Sequence, residues 1–276
     1  MTASAFPIRV PRLGHLALHA AAGTTLAFIL LPLVLVVWLA FFRQEIPSFP
    51  PEGYSVRWFP AILENKSFVS GFILSLKVGI GATLIGLLIA VPASLAIARR
   101  KFPGHAAINT LLLMPLVVPG VVLGTAIYVG ELELEMATEW PLLGSTAGLV
   151  AAHSLIVVPW ATRLITASLV GLDRTIEEAA QNLGAGPWTT FRRITLPGIR
   201  SGLVAAALFG FVLSFGNLEV SLFLVGPGQT TLPIAILQYL AWKIDPTVAA
   251  ASVVQIVLVG GAMLITDRYV KLARVV

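Results

Sequence analysis

The sequence predicts an all-α membrane protein with six transmembrane helices, and three observations lead there. Of 276 residues, 57% are hydrophobic and only 11% are charged, where a water-soluble domain carries about a quarter charged residues. Mean hydropathy is +0.92. Six segments are each about 20 residues long and apolar, enough to cross a hydrocarbon core about 30 Å thick at about 1.5 Å per residue. None alternates with the period of two of a membrane barrel strand, and a helix satisfies its own backbone within lipid. This composition excludes a soluble enzyme and, being rich in apolar surface, excludes a disordered chain. The absence of cysteine excludes disulfides, iron–sulfur clusters and thiolate metal sites.

The first span runs from about Ala22 to Phe42 without a charge. Its apolar run exceeds the roughly 7–15 residues of a signal core, and no A-x-A site follows. It is expected to stay in the membrane behind a cytoplasmic tail, residues 1–21, with residues 22–276 forming a single transmembrane domain. Pro47, Pro50, Pro51 and Pro60 mark an irregular loop after it. The second span covers about Ser70 to Ala98 and contains Lys77. The third, about Ala106 to Gly130, carries the helix breakers Pro115, Pro119 and Gly120, and its Gly120-x-x-x-Gly124 is a common pattern for close helix packing. The fourth, about Ser145 to Ser168, holds His153 and Pro159. The fifth, about Ser201 to Val225, holds Gly216, Asn217 and Glu219. A Gly226-Pro227-Gly228 turn follows, and the sixth span, about Thr247 to Thr266, contains Gln255.

Lys and Arg distribution sets the orientation. With the N-terminus inside, thirteen of the eighteen basic residues fall in inside segments, among them Arg99, Arg100, Lys101, Arg174, Arg192 and Arg193, and four fall outside. The segment Glu131–Leu143 carries four glutamates and no basic residue, and is expected as an outer loop. Both termini are therefore expected in the cytoplasm. The net charge of +5 reflects these basic inner loops rather than a nucleic-acid partner.

The chemistry of a self-sufficient enzyme is missing. No G-x-x-x-x-G-K-[ST] is present to cradle ATP, and no H-E-x-x-H or G-x-S-x-G. His15 and His19 are spaced to share a helix face, yet two histidines without a third ligand make a weak metal signal. Ionisable residues inside membrane spans usually face a bundle interior or cavity. Lys77, His153 and Glu219, with Asn217, all fall in the outer half of their spans and are expected to form a shared polar cavity or gate. Lys77 and Glu219 are also placed to pair with each other, and His153 to serve as an interhelical hydrogen bonder.

The inside loop between the fourth and fifth spans, about residues 169–199, carries the richest local signals. Thr175 followed by Glu178 has the form of a capping box that starts a helix, with Ile176, Ala179, Ala180 and Leu183 on one face. Gly184 suits the left-handed residue that ends it. Pro187 suits the first turn of a second short helix and Pro197 the first turn of the fifth span. On these residues alone the loop reads equally well as a solvated connector or as a docking element.

The run Glu178-Ala179-Ala180, Gly184, Ile194-x-Leu196-Pro197 reads E-A-A-x(3)-G-x(9)-I-x-L-P. It resembles the signature loop of permease subunits of binding-protein-dependent ABC importers of type I, and the resemblance extends over about the last 200 residues. It implies a type I importer permease fold in a bacterial cytoplasmic (inner) membrane. The loop would dock on a cytoplasmic ABC ATPase dimer, with Glu177, Glu178, Ala179, Ala180 and Gly184 at the coupling helix and Asp173, Arg192 and Arg193 flanking it. It further implies a second homologous permease, an external solute-binding protein, no cofactor bound by this chain, and ATP and Mg held in the partner ATPase. The stretch from Ser214 to Pro233 is similar to the spermidine/putrescine branch. That branch often has two adjacent acids where this sequence has Gly216 and Asn217; the acid here is Glu219. The competing reading is a stand-alone secondary transporter or channel, which would require an ion-coupling site and usually inverted repeats.

Overall fold

The computed structural model describes residues 12–270, and those residues are almost entirely helical. Helix α1 (Arg12–Leu39) starts well before the expected Ala22 and passes through Pro32. Most of its length is exposed, and its last turn packs against Trp58, Ala250 and Val253. Helix α2 (Trp58–Glu64) is anchored where the Trp58 indole N–H donates to the Phe42 carbonyl at 2.6 Å. Helix α3 (Lys66–Arg99) begins at Asn65, whose side-chain oxygen accepts from the Ser67 and Phe68 amides. That satisfies two of the donors orphaned at a helix start.

The third span is not one helix. Helix α4 (His105–Leu113) and a 3-10 turn (Met114–Leu116) meet α5 (Gly120–Thr138) at 107°. Pro115 and Pro119 each remove a backbone donor, and Pro119 is extended, with ψ 137°, so the ladder stops between them. The expected outer loop from Glu131 is helical through Thr138. It then turns where the Glu135 carboxylate accepts from the Leu142 and Leu143 amides, each at 2.9 Å. Helix α6 (Thr146–Val170) is capped by Ser145 and runs through Pro159 without opening. Pro159 is buried, and its neighbours Val157 and Ala161 pack between α3 and the helix that follows the hairpin, which holds the helix together.

A hairpin follows, made of α7 (Arg174–Asn182), α8 (Pro187–Thr190), a π-helical turn (Phe191–Thr195) and α9 (Leu196–Gly198). Helix α10 (Arg200–Phe215) leaves it at 69°. Pro197 therefore sits in α9, ahead of the bend, and the fifth span starts only at Arg200. That span breaks again at residues 216–218 before α11 (Glu219–Leu224). Helix α12 (Leu232–Trp242) is an additional apolar element. At about 16 Å it is too short to cross a bilayer, and Leu232 and Ala235 pack on Phe68 and Phe215. Helix α13 (Thr247–Val270) is the last span.

By length and composition, α1, α3, α6 and α13 are each able to cross a membrane alone, and counting each of the two bent pairs as one span gives six. The centre is a seam of α3, α6 and α10. A Cβ added at Gly86 would stand 2.6 Å from Val157 Cγ1 and one at Gly210 would stand 2.8 Å from it. The Ser94 hydroxyl donates across the seam to the Thr162 carbonyl at 3.1 Å. In lipid, where burial of apolar surface gives little drive between helices, such small-residue contacts and hydrogen bonds hold a bundle together.

Candidate coupling hairpin and broken-helix junction

Two polar constructions stand out, one in the hairpin and one at the break in the fifth span. In the hairpin, the start of α7 is not the expected capping box. Asp173 is the cap, its carboxylate accepting from the Thr175 amide at 2.9 Å. That bond holds the Asp173 carboxyl below the usual carboxylate range. Glu178 turns to Arg174 instead, Nε to Oε1 3.0 Å, on the exposed surface. The other end follows expectation: Gly184 sits at φ 88°. Its amide bonds the Gln181 carbonyl at 2.9 Å and the Ala185 amide bonds the Ala180 carbonyl at 3.0 Å, the two closures of a Schellman motif. Pro187 opens α8 as expected.

Glu177 lies on the inward face. It is buried, its carboxylate is 3.0 Å from Arg99 Nε, and it accepts from the Thr195 hydroxyl at 2.6 Å. Arg99 Nη2 also donates to the Leu172 carbonyl at 3.1 Å. One arginine at the end of α3 thus ties together the entrance to the hairpin, the middle of α7 and, through Glu177, the π-helical turn. Arg99 and Thr195 carried no signal beyond a basic loop residue and a hydroxyl in the sequence. The face with Ile176, Ala179 and Leu183 points away from the bundle: Ile176 is 49% and Leu183 90% exposed, and Trp188 on α8 is 69% exposed. Glu178, Ala179, Gly184, Arg192 and Arg193 are exposed with them, and Ala180 is half-buried. Ile176, Ala179 and Leu183 thus form an apolar strip on an exposed helix whose buried anchor to the bundle is Glu177.

The second construction closes the break in the fifth span. His153 on α6 is fully buried, with Nδ1 2.8 Å from Ser214 Oγ and Nε2 3.1 Å from Ser221 Oγ. Ser221 Oγ donates to the Asn217 carbonyl at 2.7 Å, so its single proton is committed and His153 Nε2–H donates to it. The ring Nδ1 pairs with the Ser214 hydroxyl. Asn217 Oδ1 accepts from the Val220 amide at 2.9 Å and so starts α11. His153 therefore staples α10 to α11 across the gap, the interhelical role open to it from the sequence.

Glu219 reaches back to the start of α5, where its carboxylate fills the space a side chain at Gly120 would need. A Cβ at Gly124 would stand 2.8 Å from Phe223 Cδ2 and 3.2 Å from Val220 Cα. The Gly120-x-x-x-Gly124 pattern is thus the contact of α5 with α11. Acidic groups at helix starts are favoured by the macrodipole, and Glu219 serves two such starts, its own and that of α5. Gln255 also approaches the break, its amide nitrogen 3.5 Å from where a Gly216 Cβ would stand. Lys77 is elsewhere. It is exposed on α3, in a cavity of about 280 Å³ with Ser70, Thr146, Gln229 and Thr230, and makes no ion pair with Glu219. The expected single outer cavity therefore separates into a buried staple, an acid at the break and a lysine near the α6 start. His15 lies among residues whose side chains are not described. Among the described residues no three His, Cys, Asp or Glu cluster in a way that would hold a metal ion.

Residues 82–274 match the family described as binding-protein-dependent transport system inner membrane component. The putrescine transport system permease protein PotI of Escherichia coli (strain K12) is 29% identical over 224 residues, 81% of this chain and 79% of that protein. The putative 2-aminoethylphosphonate transport system permease protein PhnV of Salmonella paratyphi A (strain ATCC 9150 / SARB42) is 29% identical over 227 residues, 79% of this chain and 82% of that protein. In fold, the chain is similar to a bacterial ABC transporter involved in import of the acidic polysaccharide alginate, with TM-score 0.71 and 13% identity over 96% of this chain and 99% of that one. With the matched segment covering both the hairpin and the broken-helix junction, the chain belongs to the family of inner-membrane components of binding-protein-dependent transport systems. It is a non-catalytic transmembrane subunit of an ATP-driven importer of the bacterial inner membrane.

Proposed function

We propose that this chain forms half of a solute translocation pathway and receives its driving motion from a separate cytoplasmic ATPase through the α7–α8 hairpin. The observation that carries this reading is that α7 turns Ile176 and Leu183 outward while Glu177, on its inward side, is braced on Arg99. An exposed apolar patch of that kind seeks a partner. The brace makes a displacement of α7 a displacement of α3. A partner shifts a conformational equilibrium only by binding its states differently, and this outward face is where an ATPase would do so.

The partners are an ABC ATPase dimer that holds ATP and Mg, a second homologous permease, and an external solute-binding protein. A fold neighbour of this chain, the alginate transporter, was solved with an alginate pentasaccharide-bound periplasmic protein. This chain holds no cofactor of its own, and nucleic acid is no partner. The cargo is a small organic solute of the polyamine type: putrescine and 2-aminoethylphosphonate, in the names of the two relatives, share a primary amine. Glu219 is the exposed acid at the break that would face such a group.

The test is co-expression with the cognate ATPase and purification in mild detergent. The proposal expects co-elution from the wild type, loss of it for Leu183→Asp at unchanged membrane abundance, and amine-bearing ligands from a screen of the cognate binding protein. Equal co-elution of the variant would refute the docking role.

A further inference from the structure

We infer that the cavity between the end of α3 and the start of α4 binds a phosphate group, carried by an anionic phospholipid of the leaflet on the hairpin side. The cavity has a volume of about 380 Å³ and is lined by Arg99, Arg100, Lys101, Phe102, His105 and Arg174, with no acid in its wall. Two of the cations are already matched, Arg99 with Glu177 and Arg174 with Glu178. Arg100 and Lys101 have no carboxylate partner among the described residues. The His105 ring is fixed beside them, because Nε2 lies 2.9 Å from the Ile97 carbonyl, which only accepts. A concave site with surplus positive charge takes an anion, and a phosphate diester is the anion that lies at this depth in a bilayer.

The neighbouring surface favours the lipid over free phosphate. Arg100 and Lys101 directly follow a 34-residue apolar helix, so they stand at the level of the headgroups. Ile108 and Leu111, three apart on α4, are 44% and 65% exposed and offer an apolar flank along which an acyl chain lies. Free phosphate makes no use of that flank. Helix α4 also starts at Gly104 with no side-chain cap, so its first-turn amides add to the same positive region.

The experiment is native mass spectrometry of the assembled importer, with phosphatidylglycerol titrated against phosphatidylcholine. Four variants are compared with the wild type. R100Q/K101Q removes the unmatched charge. G104D, read against its neutral isostere G104N because both place a side chain at φ 83°, keeps both cations, and with them the orientation of the chain in the membrane, but sets a carboxylate beside the cavity, where an added Cβ meets nothing within 4 Å. R268Q removes one charge elsewhere. The inference expects one phosphatidylglycerol retained per wild-type copy in preference to phosphatidylcholine. Affinity should fall about fivefold per cation removed, or about 25-fold for R100Q/K101Q, fall clearly for G104D relative to G104N, and change less than about twofold for R268Q. Wild-type retention by both R100Q/K101Q and G104D would overturn it. So would retention without preference between the two lipids. If inorganic phosphate alone fills the site and no lipid is retained, the lipid assignment falls and a soluble-phosphate site replaces it.

Discussion

Arg99 Nε stands 3.0 Å from the Glu177 carboxylate, joining the last residue of the long helix α3 to the middle of the hairpin helix α7. Both side chains are largely buried, and the Thr195 hydroxyl donates to the same carboxylate at 2.6 Å. A brace of this kind ties the hairpin to the end of α3, which the proposed lever requires.

Glu177→Gln keeps the shape and loses the charge. Hydrogen bonds to charged groups contribute about 1.5–3 kcal/mol, and that is the expected loss in stability of the hairpin contact. Transport should fall more than membrane abundance. Hydrogen exchange of α7 amides, compared between wild type and variant, checks it: equal protection would contradict the brace.

Gly184→Val forces a β-branched residue into φ 88°. The left-handed conformation costs an ordinary residue about 1–2 kcal/mol, so the Schellman closure opens and the angle between α7 and α8 changes. Since no atom lies within 4 Å of an added Cβ, the defect comes from the backbone alone. Transport is expected to collapse at normal abundance, as for Glu178→Lys on the docking face, with ATP hydrolysis continuing without import. Normal import by both variants would remove the hairpin from the coupling path.

His153→Leu leaves the Ser214 and Ser221 hydroxyls without their imidazole partner in the bundle interior. Interhelical hydrogen bonds in membranes contribute about 0.6 kcal/mol on average and up to about 1.7, so about 1–3 kcal/mol is expected for the pair. Unfolding in a graded detergent mixture measures it. His153→Asn, which bonds one serine, should recover part of the loss, and an unchanged His153→Leu protein would contradict the staple.

The outward groups of the α12–α13 turn give a pH signature. Asp245 is buried, which raises its carboxyl, but Thr247, Lys243 and Tyr239 all bond it and outweigh burial, so it lies below its ordinary 3.8. A depressed folded-state value contributes stability that is complete above the unfolded value and lost as pH falls through the folded one. Wild-type stability should therefore weaken as pH falls below about 4, and Asp245→Asn should be less stable at pH 7 and lack that acid step.

Gly120→Ala sets a methyl group where the Glu219 carboxylate lies. The expected outcome is displacement of the acid and lowered transport, with Gly120→Ala/Glu219→Ala packing better than Gly120→Ala alone. A double-mutant cycle on stability reads the coupling directly, and strict additivity would show that α5 and α11 do not meet through these two residues.

Much of this was legible in residue order. Six apolar segments mapped onto the spans because length and charge depletion are local properties. Gly184 and Pro187 acted where they stood because backbone preferences are local as well. Pro115 and Pro119 gave a sharp break, yet Pro159 did not, since a buried seam held α6 together in a way that no local signal records. The start of α7 went to Asp173 rather than Thr175, two caps that sequence alone leaves nearly equal. The Arg99–Glu177–Thr195 brace spans 96 positions from end to end, and Arg99 reads in sequence as one more basic loop residue. Lys77 and Glu219 have the right charges for a pair, but the path of α3 and α11 keeps them apart.

The central claim is that the outward face of α7 meets the ATPase and passes its motion inward. Since the chain has no cysteine, Leu183→Cys provides a single reactive site for disulfide trapping against cysteines placed on the ATPase surface of the assembled importer. The account predicts a cross-link whose yield changes between the ATP-bound and nucleotide-free complexes and whose formation stops import. A fully active importer in which position 183 cross-links to no part of the ATPase in either state would contradict it.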